Sequence, residues 1–98
     1  KPFILSEFGT DTIPGHHAQP SEMFSEEYQV EFLEKQIELT NNKPYVVGQH
    51  IWNMCDFKTG QGVHRVAAYN YKGVFTRDRR PKLAAHRLRA LWRGEDET

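Results

Sequence analysis

The sequence predicts an α/β fold in which two buried strands alternate with two helices. Two apolar runs, residues 2–8 and 45–52, are continuous in hydrophobicity, and an amphipathic segment separates them. Continuous apolar runs are typical of strands that are covered on both faces, as in parallel sheets. Because a helical segment joins the two runs, we expect a parallel pair with a right-handed crossover.

The first helix is predicted from a cap and a periodic apolar face. Ser25 is the expected N-cap, and the segment SEEYQVEFLEKQIEL that it begins places Val30, Leu33 and Ile37 on one side. Two asparagines at 41–42 are expected to end the helix. This pattern predicts an amphipathic helix that crosses between the two strands.

The second helix is predicted near the end of the chain. Pro81 can occupy its first turn, where a missing backbone N–H is tolerated. Ala84, Leu88, Leu91 and Trp92 then recur at helical spacing. The predicted order is therefore strand, helix, strand, helix.

Two segments are predicted to be irregular. Residues 9–20 contain a Pro-Gly pair and are expected to form a loop. Residues 53–79 hold several glycines and many polar groups. An irregular segment of that length in a compact domain is typically functional or disordered.

Composition limits the partners of the chain. Its 98 residues make one small domain at most, and thirteen basic residues balance thirteen acidic ones. This neutral total favours neither nucleic acid nor an anionic membrane as a partner. No apolar run approaches the about 18 residues of a membrane span. The single cysteine, Cys55, excludes an internal disulfide.

The beginning of the chain predicts a fragment. The first apolar run starts directly after Lys1-Pro2, which does not resemble a signal peptide. We therefore expect the chain to begin inside a domain, and the cytoplasm is the expected compartment. Two neighbouring strands also leave unpaired edges, so an isolated chain is expected to associate or to pack loosely.

Two side chains end the predicted strands where function is usually located. Glu7 ends the first strand and Trp52 ends the second. In open α/β sheets and in eight-stranded barrels, functional groups gather at the carboxyl ends of the strands. From position alone, Glu7 is either catalytic or a solvated acid. For Trp52, packing is favoured over ligand binding, because a large ring stabilises wherever it is buried.

The long segment after the second strand carries an amide and an ammonium two residues apart. Asn70 and Lys72 can converge on a single carboxylate, one as a hydrogen-bond partner and one as a charge. Many further cations lie in this segment and in the closing helix, and they could bind phosphates. A solvated, cationic helix face is the favoured interpretation of that set, which comprises Arg65, Lys72, Arg77, Arg79, Arg80, Lys82, Arg87, Arg89 and Arg93.

Metal, cofactor and nucleotide chemistry are not expected. The histidines at 16, 17, 50 and 64 lack the spacing of a zinc-binding helix. The sequence contains no GxSxG elbow, no GxxxxGK[ST] loop and no GxGxxG turn. The chain is therefore predicted to need no metal and no cofactor.

Four separated motifs resemble the β-glucuronidases of glycoside hydrolase family 2. They are SEFGTDT, MFSEEYQ, YVVGQHIWN and NYKGVFTRDRRPKLAA, in that order and spacing. The resemblance covers nearly the whole chain and implies a (β/α)8 TIM barrel. Residues 1–98 would be the C-terminal quarter of this catalytic barrel and supply its seventh and eighth strand-helix units.

The resemblance implies a role for Glu7. It aligns with the family's catalytic nucleophile, and the implied reaction is retaining hydrolysis of β-D-glucuronides. A retaining glycosidase needs two carboxyl groups about 5 to 5.5 Å apart. The family's acid/base is a glutamate in an Asn-Glu pair, and this sequence contains no such pair. The chain alone is therefore expected to be inactive and to require the remainder of the barrel.

The resemblance also implies how the substrate is held. Asn70 and Lys72 align with the pair that binds the C6 carboxylate of the sugar. Trp52 aligns with an aromatic residue at the sugar subsite, and Arg65 with an arginine that faces the acid. The sequence departs from the common Gly-Asn-Lys-Lys form of the loop, because tyrosines flank Asn70.

Two alternatives remain open at this point. The chain could be a non-catalytic structural fragment of the barrel, or it could belong to a relative that hydrolyses β-galacturonides. A galacturonide shares the carboxylate and differs at one hydroxyl, whose recognition can lie outside these residues. The parent protein is expected to be a homo-oligomer.

Overall fold

The computed structural model describes residues 1–60 and 65–94. The predicted order of two strands and two helices is confirmed, with a further pair of short strands in the long segment. The elements are β1 (Phe3–Phe8), α1 (Glu26–Asn41), β2 (Val46–Ile51), β3 (Phe57–Lys58), β4 (Tyr69–Asn70) and α2 (Leu83–Trp92).

The predicted parallel pair is present. β1 and β2 run parallel, and α1 is the connection between them. The expectation of an entirely irregular segment at 53–79 is wrong, because β3 and β4 pair in antiparallel fashion within it. Two-residue strands are too short to leave a period-2 pattern, so the sequence carried no signal for this hairpin.

The first helix begins and ends as predicted. The hydroxyl of Ser25 accepts a hydrogen bond from the backbone N–H of Tyr28 at 3.1 Å, and the C-cap is Asn42. Leu33 and Ile37 are buried, and Val30 packs partly buried against them. The amphipathic pattern therefore identified the face that meets the core.

The second helix begins later than predicted. Its N-cap is Lys82, so Pro81 lies outside the helix instead of in its first turn. The backbone of Lys82 is extended, and its N–H donates to the carbonyl of Val74 at 2.9 Å. That bond joins Lys82 to the preceding segment and keeps its backbone extended. The helix therefore begins at Leu83.

The core lies where the two helices meet the strand pair. Its buried members are Phe8, Leu33, Ile37, Ala84 and Leu88. No helix in the described part of the chain is long and apolar enough to cross a bilayer.

The expectation that both strands are buried on both faces is not met within this chain. Phe3, Ile4 and Val47 are 51, 54 and 65% exposed. Trp92, which was expected on the apolar face of α2, is 66% exposed. The two helices cover only part of the sheet, so these apolar side chains lack cover from the described residues.

Candidate active site

The carboxyl ends of β1 and β2 lie side by side, as the sequence predicted. The backbone N–H of Trp52 donates to the carbonyl of Phe8 at 2.9 Å. One residue later, the N–H of Asn53 donates to the carbonyl of Lys72 at 3.2 Å. Both strand ends and the Asn-x-Lys segment are thereby joined in one place.

Gly9 permits the close approach of these segments. A Cβ at this position would overlap the carbonyl oxygen of Trp52 and would lie 3.9 Å from the Cβ of Lys72. Only a residue without a side chain fits there. The glycine directly after β1 therefore brings the strand end against both neighbours.

Glu7 is the second-last residue of β1, two positions before this contact. Its side chain is exposed. No hydrogen bond or ion pair to its carboxylate is present within residues 1–60 and 65–94. The structure thus places an unpaired acid at the rim that the sequence predicted.

Asn70 and Lys72 are held together by a local turn. The amide oxygen of Asn70 accepts from the backbone N–H of Lys72 at 3.0 Å, and Asn70 is only 5% exposed. Among the described residues, no group bonds to the amide nitrogen of Asn70 or pairs with the ammonium of Lys72. One N–H₂ group and one cation are therefore both available to an anionic ligand.

Arg65 lies next to this segment through Asp11. Its guanidinium Nη1 is 3.9 Å from Oδ1 of Asp11, and the same oxygen accepts from the backbone N–H of Tyr71 at 2.9 Å. Asp11 therefore links Arg65 to the residue between Asn70 and Lys72. At 3.9 Å the ion pair is loose, which leaves the guanidinium able to serve another anion.

Trp52 borders the site and stays partly open. Its indole is 39% exposed and meets the ring of Phe57 edge to face, with centroids 6.1 Å apart. The peptide bond that follows it, to Asn53, is cis. The ring is packed on one side by Phe57 and accessible on the other, so packing and ligand contact are compatible.

The tyrosines that flank Asn70 are engaged with each other. The rings of Tyr69 and Tyr71 stack with centroids 5.4 Å apart and planes 20° from parallel. Arg77 lies over the ring of Tyr69 at 5.7 Å and donates to its hydroxyl at 2.8 Å. The unusual loop sequence thus forms an aromatic stack beside the Asn-x-Lys turn.

Sequence reasoning missed a buried ion pair beneath this turn. Lys82 and Asp56 are 1 and 3% exposed, and Nζ of Lys82 donates to Oδ1 of Asp56 at 2.9 Å. The same ammonium donates to the carbonyls of Thr12 at 2.8 Å and Tyr71 at 3.1 Å. Oδ1 of Asp56 also accepts from the N–H of Gly73 at 2.9 Å. We call these five residues the polar junction.

The assignment of Lys82 to a solvated or phosphate-binding cationic face is therefore wrong. Burial lowers the pKa of Lys82 and raises the pKa of Asp56 from their ordinary values, and the ion pair opposes both changes. The only local signal was an acid placed between Cys55 and Phe57. A single acid in an apolar stretch does not identify its distant partner.

Glu26 is a second buried acid with a positional function. Its two carboxylate oxygens accept from the N–H of Leu83 at 2.6 Å and from the N–H of Gly15 at 2.7 Å. The first of these bonds satisfies an N–H at the start of α2, where an anion is also favoured by the helix dipole. Glu26 thus ties α1, α2 and the loop after β1 together.

Two further cations of the set that could bind phosphates are paired with acids. Arg87 pairs with Glu34 at 2.6 Å, and Arg80 pairs with Asp78 at 3.3 Å. Each is neutralised locally, as expected for a solvated surface.

The histidines considered as metal ligands form no metal site in the described residues. His16 and His17 lie near Glu22 and Glu27 at 3.3 and 2.7 Å, and no group of three or more ligands with metal-binding geometry is present in residues 1–60 and 65–94. His50 is exposed on β2, and His64 lies outside the described residues.

The chain is thus a parallel strand-helix-strand-helix unit with polar and aromatic side chains at the carboxyl ends of its strands. Residues 1–95 match the family described as "Glycosyl hydrolases family 2, TIM barrel domain". The chain belongs to this family.

The individual relatives carry a more specific name. A β-glucuronidase of Paenibacillus borealis is 47% identical over 92 residues, which cover 94% of this chain and 15% of the relative. The structure of β-D-glucuronidase from Dictyoglomus thermophilum superposes with a TM-score of 0.91 at 49% identity, over 98% of this chain and 16% of that one. A Ruminococcus gnavus β-glucuronidase in complex with D-glucuronic acid gives a TM-score of 0.88 at 49% identity, over 93% of this chain and 16% of that one. The chain thus spans about a sixth of the length of these relatives.

Proposed function

We propose that residues 1–98 are the C-terminal portion of the catalytic barrel of a retaining β-glucuronidase and supply its last two strand-helix units. Three observations support this: the family membership, the near-half identity to proteins named β-glucuronidase, and the parallel strand-helix-strand order. A pair of parallel strands with its functional groups at the carboxyl ends has the arrangement of a TIM barrel.

Glu7 is the proposed nucleophile. Its carboxylate attacks the anomeric carbon and forms a covalent glycosyl-enzyme ester, while the aglycone oxygen receives a proton from an acid elsewhere in the parent protein. Water then attacks the same carbon and releases the sugar with its original configuration. The exposed position of Glu7, without a protein partner among the described residues, supports this role.

The observation that carries the substrate assignment is the unpaired amide and ammonium of the Asn-x-Lys turn. Asn70 donates a hydrogen bond to the C6 carboxylate, and Lys72 supplies the charge. A neutral hexose leaves the ammonium without its counter-ion, which disfavours it. Arg65 adds a second cation near the carboxylate, and Trp52 packs against the sugar at the rim.

The second candidate, a structural fragment without activity of its own, applies to the chain by itself. The exposed apolar residues of β1 and β2 favour association with the remainder of the barrel. A homo-oligomeric parent and a cytoplasmic location remain predictions. To distinguish a β-glucuronidase from a β-galacturonidase, the rates at which the parent protein hydrolyses the two substrates are compared.

The test is to trap the intermediate in the parent enzyme with 2-fluoroglucuronyl fluoride. We expect intact-mass analysis to show one glycosyl adduct and peptide analysis to locate it on Glu7. The variants Glu7→Gln and Glu38→Gln provide the comparison, because Glu38 is an exposed acid on α1. Glu7→Gln should abolish the adduct and reduce turnover on the order of 10⁴-fold or more. An adduct on another residue, or full activity of folded Glu7→Gln, would refute the nucleophile assignment.

A further inference from the structure

We propose that the buried pair of Lys82 and Asp56 positions the Asn-x-Lys turn and thereby sets the preference of the site for a carboxylated sugar. This inference rests on the proposed function, because it concerns how the same site is held. Lys82 cannot touch a substrate itself, since its side chain is 0% exposed. It is a positioning residue that acts through Asn70 and Lys72.

The ammonium of Lys82 bonds to both halves of the site. An ammonium has three N–H donors, and Lys82 directs them to the carbonyls of Thr12 and Tyr71 and to the carboxylate of Asp56. Tyr71 is the residue between the two proposed carboxylate ligands. Thr12 lies in the loop that follows β1, the strand that carries Glu7. One buried cation therefore links the two halves of the site.

Asp56 holds the other side of the same turn. Its Oδ1 accepts from the N–H of Gly73, the residue directly after Lys72. Hydrogen bonds from Lys82 to the carbonyl of Tyr71 and from the N–H of Gly73 to Asp56 therefore hold the backbone on both sides of Lys72. Because the backbone is held on each side, the position of the Lys72 Cα, from which the side chain extends, is restricted.

A second contact to the turn comes from Thr12. Its backbone N–H donates to the carbonyl of Tyr71 at 2.8 Å, so this carbonyl accepts from both Thr12 and Lys82. Removal of the ammonium leaves this backbone bond in place. We therefore expect loss of Lys82 to leave the loop after β1 folded and to shift the turn by as much as the remaining backbone bond allows.

The experiment compares two inhibitors in the parent enzyme: isofagomine with a C6 carboxylate and neutral isofagomine. The variant Lys82→Met removes the charge and retains the side-chain length. The matched control is Arg87→Met, which removes a cation of α2 whose side chain is 33% exposed. Binding is measured by calorimetry, and folding is verified by circular dichroism and by the melting temperature.

We expect Lys82→Met to weaken the carboxylated inhibitor about tenfold more than the neutral one, because a displaced turn loses its hydrogen bonds to the carboxylate. Arg87→Met should leave the ratio unchanged. Should Lys82→Met fail to fold, Asp56→Asn provides the test, because it preserves shape and removes the charge. It should shift the ratio about threefold or more in the same direction.

Two results distinguish the failures. If the unsubstituted parent itself does not prefer the carboxylated inhibitor, the proposed function is wrong and the positioning role with it. If the parent prefers it and the folded variants retain the full preference, or lose both inhibitors equally, the positioning role alone is overturned and the pair is purely structural.

Discussion

The polar junction and the apolar sheet differ in how far this chain completes them. In the junction, Lys82 and Asp56 are almost fully buried and bond to groups of the same chain. Along the sheet, Phe3 and Val47 are more than half exposed. The backbone of the proposed site is thus held by long-range contacts within this chain, whereas burial of the strands needs further protein.

An apolar groove marks where such protein would pack. A cavity of about 670 Å³ lies between β2 and α2, and Ile51, Met54 and Trp92 are among its lining residues. In a closed barrel the last strand pairs with the first. On the proposed barrel assignment, the first strand-helix unit of the parent would cover this groove.

Loss of the Lys72 ammonium should affect the uronate site more strongly than the two stability variants below affect the fold. Lys72→Ala in the parent enzyme should reduce kcat/KM for a β-glucuronide about 10- to 100-fold more than for the matching β-glucoside, because only the glucuronide uses the ammonium. The measurement is steady-state hydrolysis of the two 4-nitrophenyl glycosides. Lys58→Ala, an exposed lysine of β3, is the control. Equal losses for both substrates would mean that Lys72 only supports the loop.

A loss of stability is expected when a methyl group is added at Gly73, a member of the polar junction. A Cβ at Gly73 would overlap the backbone N–H of Asp56 and the carbonyl oxygen of Phe75. Gly73→Ala should therefore destabilise the parent by about 1–3 kcal/mol, as overpacking does. Gly60→Ala is the matched control, because no atom of residues 1–60 and 65–94 lies within 4 Å of its added Cβ. Equal melting temperatures for the two variants would show that the junction is loose.

Much of the fold followed from the sequence because its signals are local. The Ser25 cap and the apolar period of α1 are both determined within a few residues, and both are confirmed. The two strand ends were expected at one rim because parallel strands end together, and the bond from Trp52 to Phe8 agrees. The roles of Glu7 and Lys72 came from the family resemblance and remain predictions.

The parts that the sequence did not predict depend on distant contacts. The sequence around Lys82 is typical of a surface lysine, because its partner Asp56 is 26 residues away. Pro81 looks like a helix start until the bond from Lys82 to Val74 delays the helix. Neither partner is identifiable from periodicity, because a single long-range hydrogen bond leaves no repeating pattern.

A change in stability of similar size is expected in the apolar sheet. Val47→Thr replaces one β-branched residue by another of similar shape. If position 47 stays exposed in the parent, the substitution should hardly change the free energy of unfolding. If the parent covers β2 on both faces, the buried hydroxyl lacks a partner and costs about 1–3 kcal/mol. We expect this loss as a lower melting temperature of the parent, and almost none for Val66→Thr, which changes another exposed valine. A parent that tolerates Val47→Thr as well as Val66→Thr would mean that the sheet stays open there. The contrast between a polar junction that this chain completes and a sheet that it leaves uncovered would then fail.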